Sequence, residues 1–468
     1  MKQDECSFTQ TVFAFGVPVI TFQQNENTTV VRLFGRIPLC RVKRTLTKVC
    51  VYLGPCELFK VRCSGVLPVD LPSFALPGSR HEDGLRRFYF NIGRLHETDA
   101  KTGIQRVARS LLLCLCKHPP AGYALVPVYC RRDRPGFFCA ADYVRKHLPE
   151  WAGPDADLPV DFATGDMLFS PIPDLSEVLA QQNVFKILMH HGVKVISIVH
   201  DVIPLTHPQF CVKTVNDDMA RWLPLVAQSS GMIAVSQYSL YEFLKWMQKA
   251  GIRPRDDFFT GWFHLGADIR NSAPSKGLPK EAERVFAAMR ARPSLLEVST
   301  VEARKGYAQA LAAFESLWKK GVDANFVIVG KEGWNVEGLI RKLEKHPELG
   351  RRLFWLKGIS DEYLERVYQE ASGVLMPSEV EGFGLAVIEG AYHGKPLILR
   401  DIPVFREIAG DNATYFSGLE SEPLADVIEQ WLKDFEQGGV IPSTGIKPLT
   451  WEESARMLLS RLPLQDKE

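Results

Sequence analysis

The sequence predicts an α/β protein: two doubly wound parallel-sheet domains facing a cleft, with a small β-rich extension in front. Three observations lead there. From Arg87 onward, short apolar runs bounded by Gly and Pro alternate with segments of helical period, the pattern of a parallel sheet covered on both faces. That alternation stops once, at an Asn-, Ser-, Pro- and Gly-bearing linker over Asp268–Leu278, and then restarts. Residues 1–80 lack it altogether. The 468 residues are enough for two or three domains. The expected divisions are an extension over 1–84, a first doubly wound domain over 85–268, a second over 269–448, and a closing helix over 449–468 that packs back on the first domain.

In the extension, the pieces Val12–Phe15, Thr29–Phe34 and Val49–Leu53 read as short strands broken by Gly and Pro. The likeness of LFGRIPLCRVKR to VYLGPCELFKVR predicts that they pair. Arg32–Lys48 is basic, so the extension could touch a membrane surface or a protein partner, and the residues do not choose between these. His81–Gly84 reads as its linker. In the first domain, Arg87–Ile92, Leu125–Tyr129, Val193–Val199, Met232–Val235 and Phe259–Gly266 read as strands. Helices are expected at Gly103–Cys116, Asp174–Met189, Val215–Gln228 and Tyr238–Ala250, with long loops over Arg131–Asp166. In the second domain, strands are expected at Leu295–Ser299, Phe326–Val329, Leu353–Leu356, Gly373–Met376 and Pro396–Leu399. Helices lie between them, and amphipathic helices at Pro423–Phe435 and Trp451–Leu462 end the chain. Two such sheets imply a ligand cleft between their carboxyl ends.

Composition bounds the function. A formal net charge of +1 gives no bulk attraction for nucleic acid. The longest apolar run in a helical context, Leu111–Cys116, is far short of the roughly 20 residues of a membrane span. The N-terminus is polar and acidic, without the pattern of a secretory signal, so the expected location is cytoplasmic. Five of ten cysteines precede residue 70 (Cys6, Cys40, Cys50, Cys56 and Cys63), and none forms a CxxC pair. Reduced thiols are the preferred reading over a zinc site at Cys40, Cys50, Cys56 and Cys63. Asp155 and Asp157 form a DxD string inside GPDADLP without a preceding strand, and read as turn residues. No GxGxxG follows a strand, which argues against a dinucleotide oxidoreductase.

The chemistry concentrates in Ser378–Gly394, SEVEGFGLAVIEGAYHG, between two strand-like runs. Gly382 and Gly384 stand where a helix would start, and a helix N-terminus can hold an anion. Glu381 would sit at the loop tip and Glu389 about two turns into the helix. Three further segments converge on the same cleft. Gly103, in KTGIQRV, lies at a loop-to-helix junction suited to a phosphate; Arg106 is either a site residue or a solvated helix residue. His200 ends a strand in VHDVIP, and its imidazole can bond a sugar hydroxyl or a departing phosphate. Arg304 and Lys305, in VSTVEARKGY, open a helix where cations are locally unfavourable, a cost that an anionic ligand would offset.

The combination TGIQR, HDVIP, EARKGY and EGFGLAVIE resembles the retaining glycosyltransferases of family four, of the O-antigen mannosyl- and rhamnosyltransferase type. The resemblance spans about residues 87–462 and is strongest over Leu295–Ala409. It implies the GT-B fold, two Rossmann-like domains with the nucleotide sugar held mainly by the second. It further implies that Glu381 lies by the donor sugar and Glu389 holds the ribose. Phe383, Gly384 and Leu385 would supply backbone around sugar and phosphate, Gly103 and Ile104 would approach the donor from the first domain, and His200 would be the donor-site histidine. Gly330, in FVIVGKEGW, matches the turn beside the base. The family's usual Gly-Arg is replaced by Ser299 and Thr300, so Arg304 beside Lys305 takes over as the second cation. By this reading the catalytic set is His200, Glu381, Arg304 and Lys305, and no metal is required. The donor is a nucleotide diphosphate sugar, GDP-mannose first. The acceptor is a saccharide or lipid-linked glycan in surface polysaccharide or lipopolysaccharide synthesis, with peripheral contact at the inner membrane face through residues 1–84. Two rivals stand beside it: a catalytically silent nucleotide-sugar-binding partner in a polysaccharide synthesis complex, and a phosphorylase or hydrolase on the same scaffold.

Overall fold

Two parallel sheets and one antiparallel sheet make up the protein. The computed structural model describes, with side chains, residues 81–464 apart from 99–101, 152, 154–155, 174 and 272–273 and the side chains at 94 and 271; before these it describes the backbone of six strands between residues 8 and 62. Those strands are β1 (Phe8–Ala14), β2 (Val17–Asn25), β3 (Thr28–Leu33), β4 (Ile37–Thr45), β5 (Lys48–Leu53) and β6 (Cys56–Arg62), a six-stranded antiparallel sheet in sequence order. The two similar segments noted in the sequence supply neighbouring strands of it. Phe15, Phe34 and Asp155, and the side chains of Cys6, Cys40, Cys50, Cys56 and Cys63, lie outside the described residues, so the zinc reading does too.

The first doubly wound sheet contains β7 (Arg86–Asn91), β8 (Tyr123–Cys130), β9 (Phe137–Cys139), β10 (Met167–Ser170), β11 (Lys194–Val199), β12 (Gly231–Ala234) and β13 (Phe259–Trp262). Their order is β13-β12-β11-β10-β7-β8-β9, parallel except for the short edge strand β9. The second sheet contains β14 (Ser294–Val298), β15 (Asn325–Val329), β16 (Leu353–Leu356), β17 (Gly373–Met376), β18 (Leu397–Arg400) and β19 (Thr414–Phe416), in the all-parallel order β16-β15-β14-β17-β18-β19. Strands such as β12, β15 and β17 are buried along their whole length, which is why the sequence shows them as apolar runs; β10, equally buried, was not among the expected strands.

In both sheets the strand order reverses beside the first strand, between β7 and β10 and between β14 and β17, and ligands of such folds sit outside the carboxyl ends at that point. The segments with chemical potential follow these strands. Asn91–Gly93 and the helix Gly103–Lys117 follow β7, and His200 follows β11. Ser299–Lys305 follows β14, and Ser378–Leu385 follows β17.

Three local expectations are corrected. Asp174–Met189 is two helices, Leu175–Ala180 and Gln182–His190, because the fully buried Gln181 breaks the run to tie down the preceding loop. Its side chain accepts from the Gly136 amide and donates to the carbonyls of Arg131 and Arg134. The expected loop region over Arg131–Asp166 contains β9 and the helix Ala141–His147. Asp157 ties its loop to neighbouring elements instead of closing a turn of its own, accepting from the Tyr129 hydroxyl and the Asp142 amide.

The domains are joined by more than the linker. The closing helix Trp451–Arg461 packs on the helix Gly103–Lys117, with Trp451 and Leu458 in the same apolar cluster as Phe88, Leu111 and Phe263. Asp268 accepts the Trp451 amide at 2.5 Å, and Ser454 donates to the His264 carbonyl. Phe383, from the second domain, belongs to that first-domain cluster as well.

Candidate functional site: a charged cleft between two sheets

The site starts at the end of β14. The chain leaves the strand through Ser299 and Thr300, turns through a short 3-10 helix at Ala303–Lys305, and enters the helix Tyr307–Lys319 at Gly306. Gly306 has φ +81°, and a Cβ there would lie 2.3 Å from the Pro377 carbonyl oxygen, so only glycine lets the turn reach the end of β17. The Arg304 carbonyl then accepts the Glu379 amide at 2.8 Å, fixing the two loops to each other.

Glu381 is the hub of this junction. Lys305 Nζ lies 2.5 Å from its Oε1, and an Arg304 guanidinium nitrogen 3.1 Å from its Oε2. Arg304 also donates to Glu302 and to the Val380 carbonyl. Burial alone would raise the Glu381 carboxyl, but the two cations overcome it and hold it at about 2. Burial and the adjoining Arg304 pull the Lys305 ammonium down, against the support of Glu381. The result is a buried, nearly neutral cluster whose cations share one carboxylate, so an arriving anion can recruit both.

A third carboxyl, Glu297, stands behind the cluster. It lies inside β14, is fully buried, and neither oxygen has a hydrogen-bond partner. Burial pushes it well above its ordinary range, Lys305 opposing and Glu381 assisting. The sequence showed it only as one residue of a strand, and nothing in that pattern marked it out.

His200 closes the cluster from the first domain. Its Nε2 lies 2.8 Å from the Pro171 carbonyl, which can only accept, so the proton is on Nε2 and Nδ1 is left for a ligand. Burial lowers its pKa, and the ring is neutral. Gly382 packs directly on the His200 backbone: a Cβ there would stand 2.2 Å from the His200 carbonyl oxygen. The Gly382 carbonyl accepts from the hydroxyls of Ser236 and Ser239, both of the first domain.

Glu389, about one turn along the helix Leu385–Tyr392, belongs to a second cluster. Arg106 crosses from the first domain to donate to Glu389 Oε1 at 2.6 Å and to Asp361 Oδ1 at 3.0 Å. The Tyr368 hydroxyl donates to Glu389 Oε2 at 2.7 Å. Burial raises the Glu389 carboxyl, and Arg106 opposes without reversing it.

Thus Lys305, Arg304, Glu381 and the His200 backbone meet at one junction, and Glu389 lies on the helix that follows Glu381. Gly103 opens its helix, and a Cβ on it would meet Leu385 at 3.4 Å, so Gly103, Ile104, Gly384 and Leu385 lie where the two domains approach. The Phe383 side chain is taken up by the first-domain core, leaving only its backbone to the cleft. Gly330 lies at the end of β15, its carbonyl accepting from Trp355 Nε1. The Ser299 hydroxyl pairs with that of Tyr307 and not with a site residue. Among the described residues no group of three or more His, Cys, Asp or Glu side chains is arranged to hold a metal ion. No helix among them is long and apolar enough to cross a membrane.

Two doubly wound domains facing each other across a cleft are the architecture of the GT-B fold. The backbone superposes on Anabaena Alr3699/HepE, solved in complex with UDP and glucose, with TM-score 0.50 at 15% identity over 81% of this chain and 96% of that one. It superposes on sucrose-phosphate synthase from Thermosynechococcus elongatus with TM-score 0.53 at 14% identity over 80% and 94%. Residues 281–438 match the family described as Glycosyl transferases group 1. It is 41% identical over 386 residues to the serotype-specific mannosyltransferase WbdA of Escherichia coli, 81% of this chain and 45% of that protein. It is 23% identical over 285 residues to O-antigen chain mannosyltransferase B of Escherichia coli, 59% and 72% of the two chains. The chain spans about half the length of the WbdA proteins it matches.

Proposed function

We propose that the chain transfers a hexose, mannose in the first instance, from a nucleotide diphosphate sugar to a saccharide or lipid-linked acceptor of a surface polysaccharide, retaining the anomeric configuration. The observation that carries this is the convergence of Arg304 and Lys305 on Glu381 at the reversal point of the second sheet, with Gly382 seated on His200. The WbdA relatives, mannosyltransferases by name, support the choice of sugar.

In the reaction the bond between the anomeric carbon and the phosphate oxygen breaks, a new bond forms to an acceptor hydroxyl, and the diphosphate departs with its charge increased. Arg304, as a fork, and Lys305, as a point charge, stabilise that departing anion, and they take the part a metal ion would otherwise play. Glu381, released from one of them, faces the positive charge developing on the sugar ring. Glu389 accepts from the ribose hydroxyls. His200, neutral and proton-bearing on Nε2, presents Nδ1 to the sugar. Closure of the two domains excludes water, the competing acceptor. The location this reading implies is cytoplasmic, with peripheral contact at the inner membrane face through residues 1–84.

The test is a thermal-shift panel of nucleoside diphosphates and their sugars. A ligand that binds the native state stabilises it by mass action, by about 2.7 kcal/mol at a hundredfold excess over Kd, and so raises its melting temperature. GDP and GDP-mannose are expected to shift the transition most. A panel with no shift from any nucleotide, in a sample that melts cooperatively, would discard the donor site.

A further inference from the structure

Arg106 has no part in the reaction as derived above, yet it joins the two domains through two ion pairs. It leaves the first turns of the helix Gly103–Lys117 and reaches two carboxylates of the second domain, 255 and 283 residues away along the chain. Both partners are held independently. Asp361 opens the helix Asp361–Glu370 and accepts from the amide and hydroxyl of Ser275. Glu389 is 3% exposed and receives the Tyr368 hydroxyl on its other oxygen. A carboxylate offers about four lone-pair positions. One donor sits on each Glu389 oxygen, so one position on each remains for a pair of adjacent hydroxyls.

We propose that Arg106 is the positioning residue of the donor's ribose site: from the first domain it orients the Glu389 carboxylate to accept the ribose hydroxyls, so that the site is complete only when the domains are closed. The inference rests on the donor-site reading given above. It explains why an arginine is placed against two acids rather than one: Asp361 anchors the guanidinium, and the free arm of the fork addresses Glu389. The electrostatics agree. The groups facing Glu389 are Arg106 from the first domain and Tyr368 and Asp361 from the second, with Arg109 acting on Asp361. Arg106 is the cation among them that opposes the effect of burial on Glu389. Without it the buried carboxyl gains a proton more readily, and a protonated oxygen donates where an acceptor is needed.

The experiment measures GDP and UDP affinity by calorimetry between pH 7 and 9 for the full chain and for Arg106→Gln and Arg106→Lys. Arg106→Gln is expected to lose roughly tenfold to a hundredfold at pH 7, as for a lost charge-assisted bond, and to regain affinity as pH rises and Glu389 ionises. Arg106→Lys keeps the charge without the fork, so it is expected to lose less than Arg106→Gln, with a pH profile parallel to that of the unaltered protein. Should Arg106→Gln not fold, a threefold or larger loss in Arg106→Lys carries the test. Unchanged affinity in the variants, or an equal loss at every pH in Arg106→Gln, would make Arg106 a structural tie and overturn the role. If the unaltered, folded chain binds neither nucleotide, the donor site and the role of Arg106 fall together.

Discussion

Glu381 and Glu389 stand eight residues apart in one loop and helix, both almost completely buried, and their surroundings push them in opposite directions. Glu381 has two cations of its own domain, Lys305 and Arg304, and is held at about 2. Glu389 has one, borrowed from the other domain, and lies above its ordinary range. Burial acts alike on both, so the number and origin of the cations decide. The first carboxylate is prepared before any ligand or domain arrives. The second depends on closure. A site divided in this way can admit a donor while open and complete its grip when shut.

The comparison breaks most visibly at Lys305. Lys305→Ala leaves Glu381 with Arg304 alone and removes one of two charges facing the departing diphosphate. Turnover with a nucleotide sugar donor is expected to fall about 10²–10³-fold, the range seen when one preorganised charge-stabilising group is removed. Glu389→Ala is expected to act on affinity instead, weakening nucleotide binding by roughly 1–3 kcal/mol. Equal kcat and Kd effects in the two variants would deny the division of labour. Steady-state kinetics together with nucleotide titration separate the outcomes.

Stability against pH sharpens the same contrast. A carboxyl with a depressed folded pKa contributes stability that is present above its ordinary value of 4.5 and lost as pH falls; for Glu381 the loss runs from 4.5 down to about 2. A carboxyl with a raised folded pKa does the reverse. Glu297 favours the folded state at low pH, and that contribution is lost as pH climbs above 4.5. Glu297→Gln, which keeps the shape and cannot ionise, is therefore expected to flatten the decline of stability as pH rises above 4.5. Glu381→Gln is expected to reduce the decline below 4.5. Denaturant titrations at a series of pH values read both; parallel curves for Glu297→Gln and the unaltered chain would show that this buried carboxyl is already ionised.

These residues also show what a sequence displays and what it hides. The strands β14 to β18 and the loop-to-helix stretch Ser378–Gly394 were legible because burial on both faces writes a continuous apolar run, and glycines punctuate it. Glu381 and Lys305 could be proposed as partners because each stands at a recognisable junction between strand and helix. Arg106 could not be given a role: its partners lie hundreds of residues away, and a lone arginine on an amphipathic helix looks the same whether it meets water or two carboxylates. Glu297 was hidden for the opposite reason, since a single acid inside an apolar strand has no local signature of what it faces. Gln181 was missed because glutamine suits a helix, and only the loop it holds explains the break.

The smallest expected effect lies at the rim of the interface, where closure is held without any ligand. Glu407, on the helix Pro403–Ala409 of the second domain, accepts the amides of Gln237 and Tyr238 at 2.8 Å each, capping a first-domain helix, and meets His264 Nε2 at 2.8 Å. Burial raises its carboxyl, but His264 and the two amides more than offset this and hold it low. Glu407→Ala leaves those amides to water while Ser236 still accepts the Ser239 amide of the same helix, so the cost is about 1 kcal/mol, as for a lost helix cap. For domains of this size that is a fall of about 2–4 °C in Tm. If Glu389 relies on closure and Glu381 does not, the same variant should weaken nucleotide binding slightly while the low-pH stability limb due to Glu381 stays where it was. A shift of that limb in Glu407→Ala would mean that the Lys305–Glu381 cluster also needs the first domain, and the contrast between the two carboxylates would be lost.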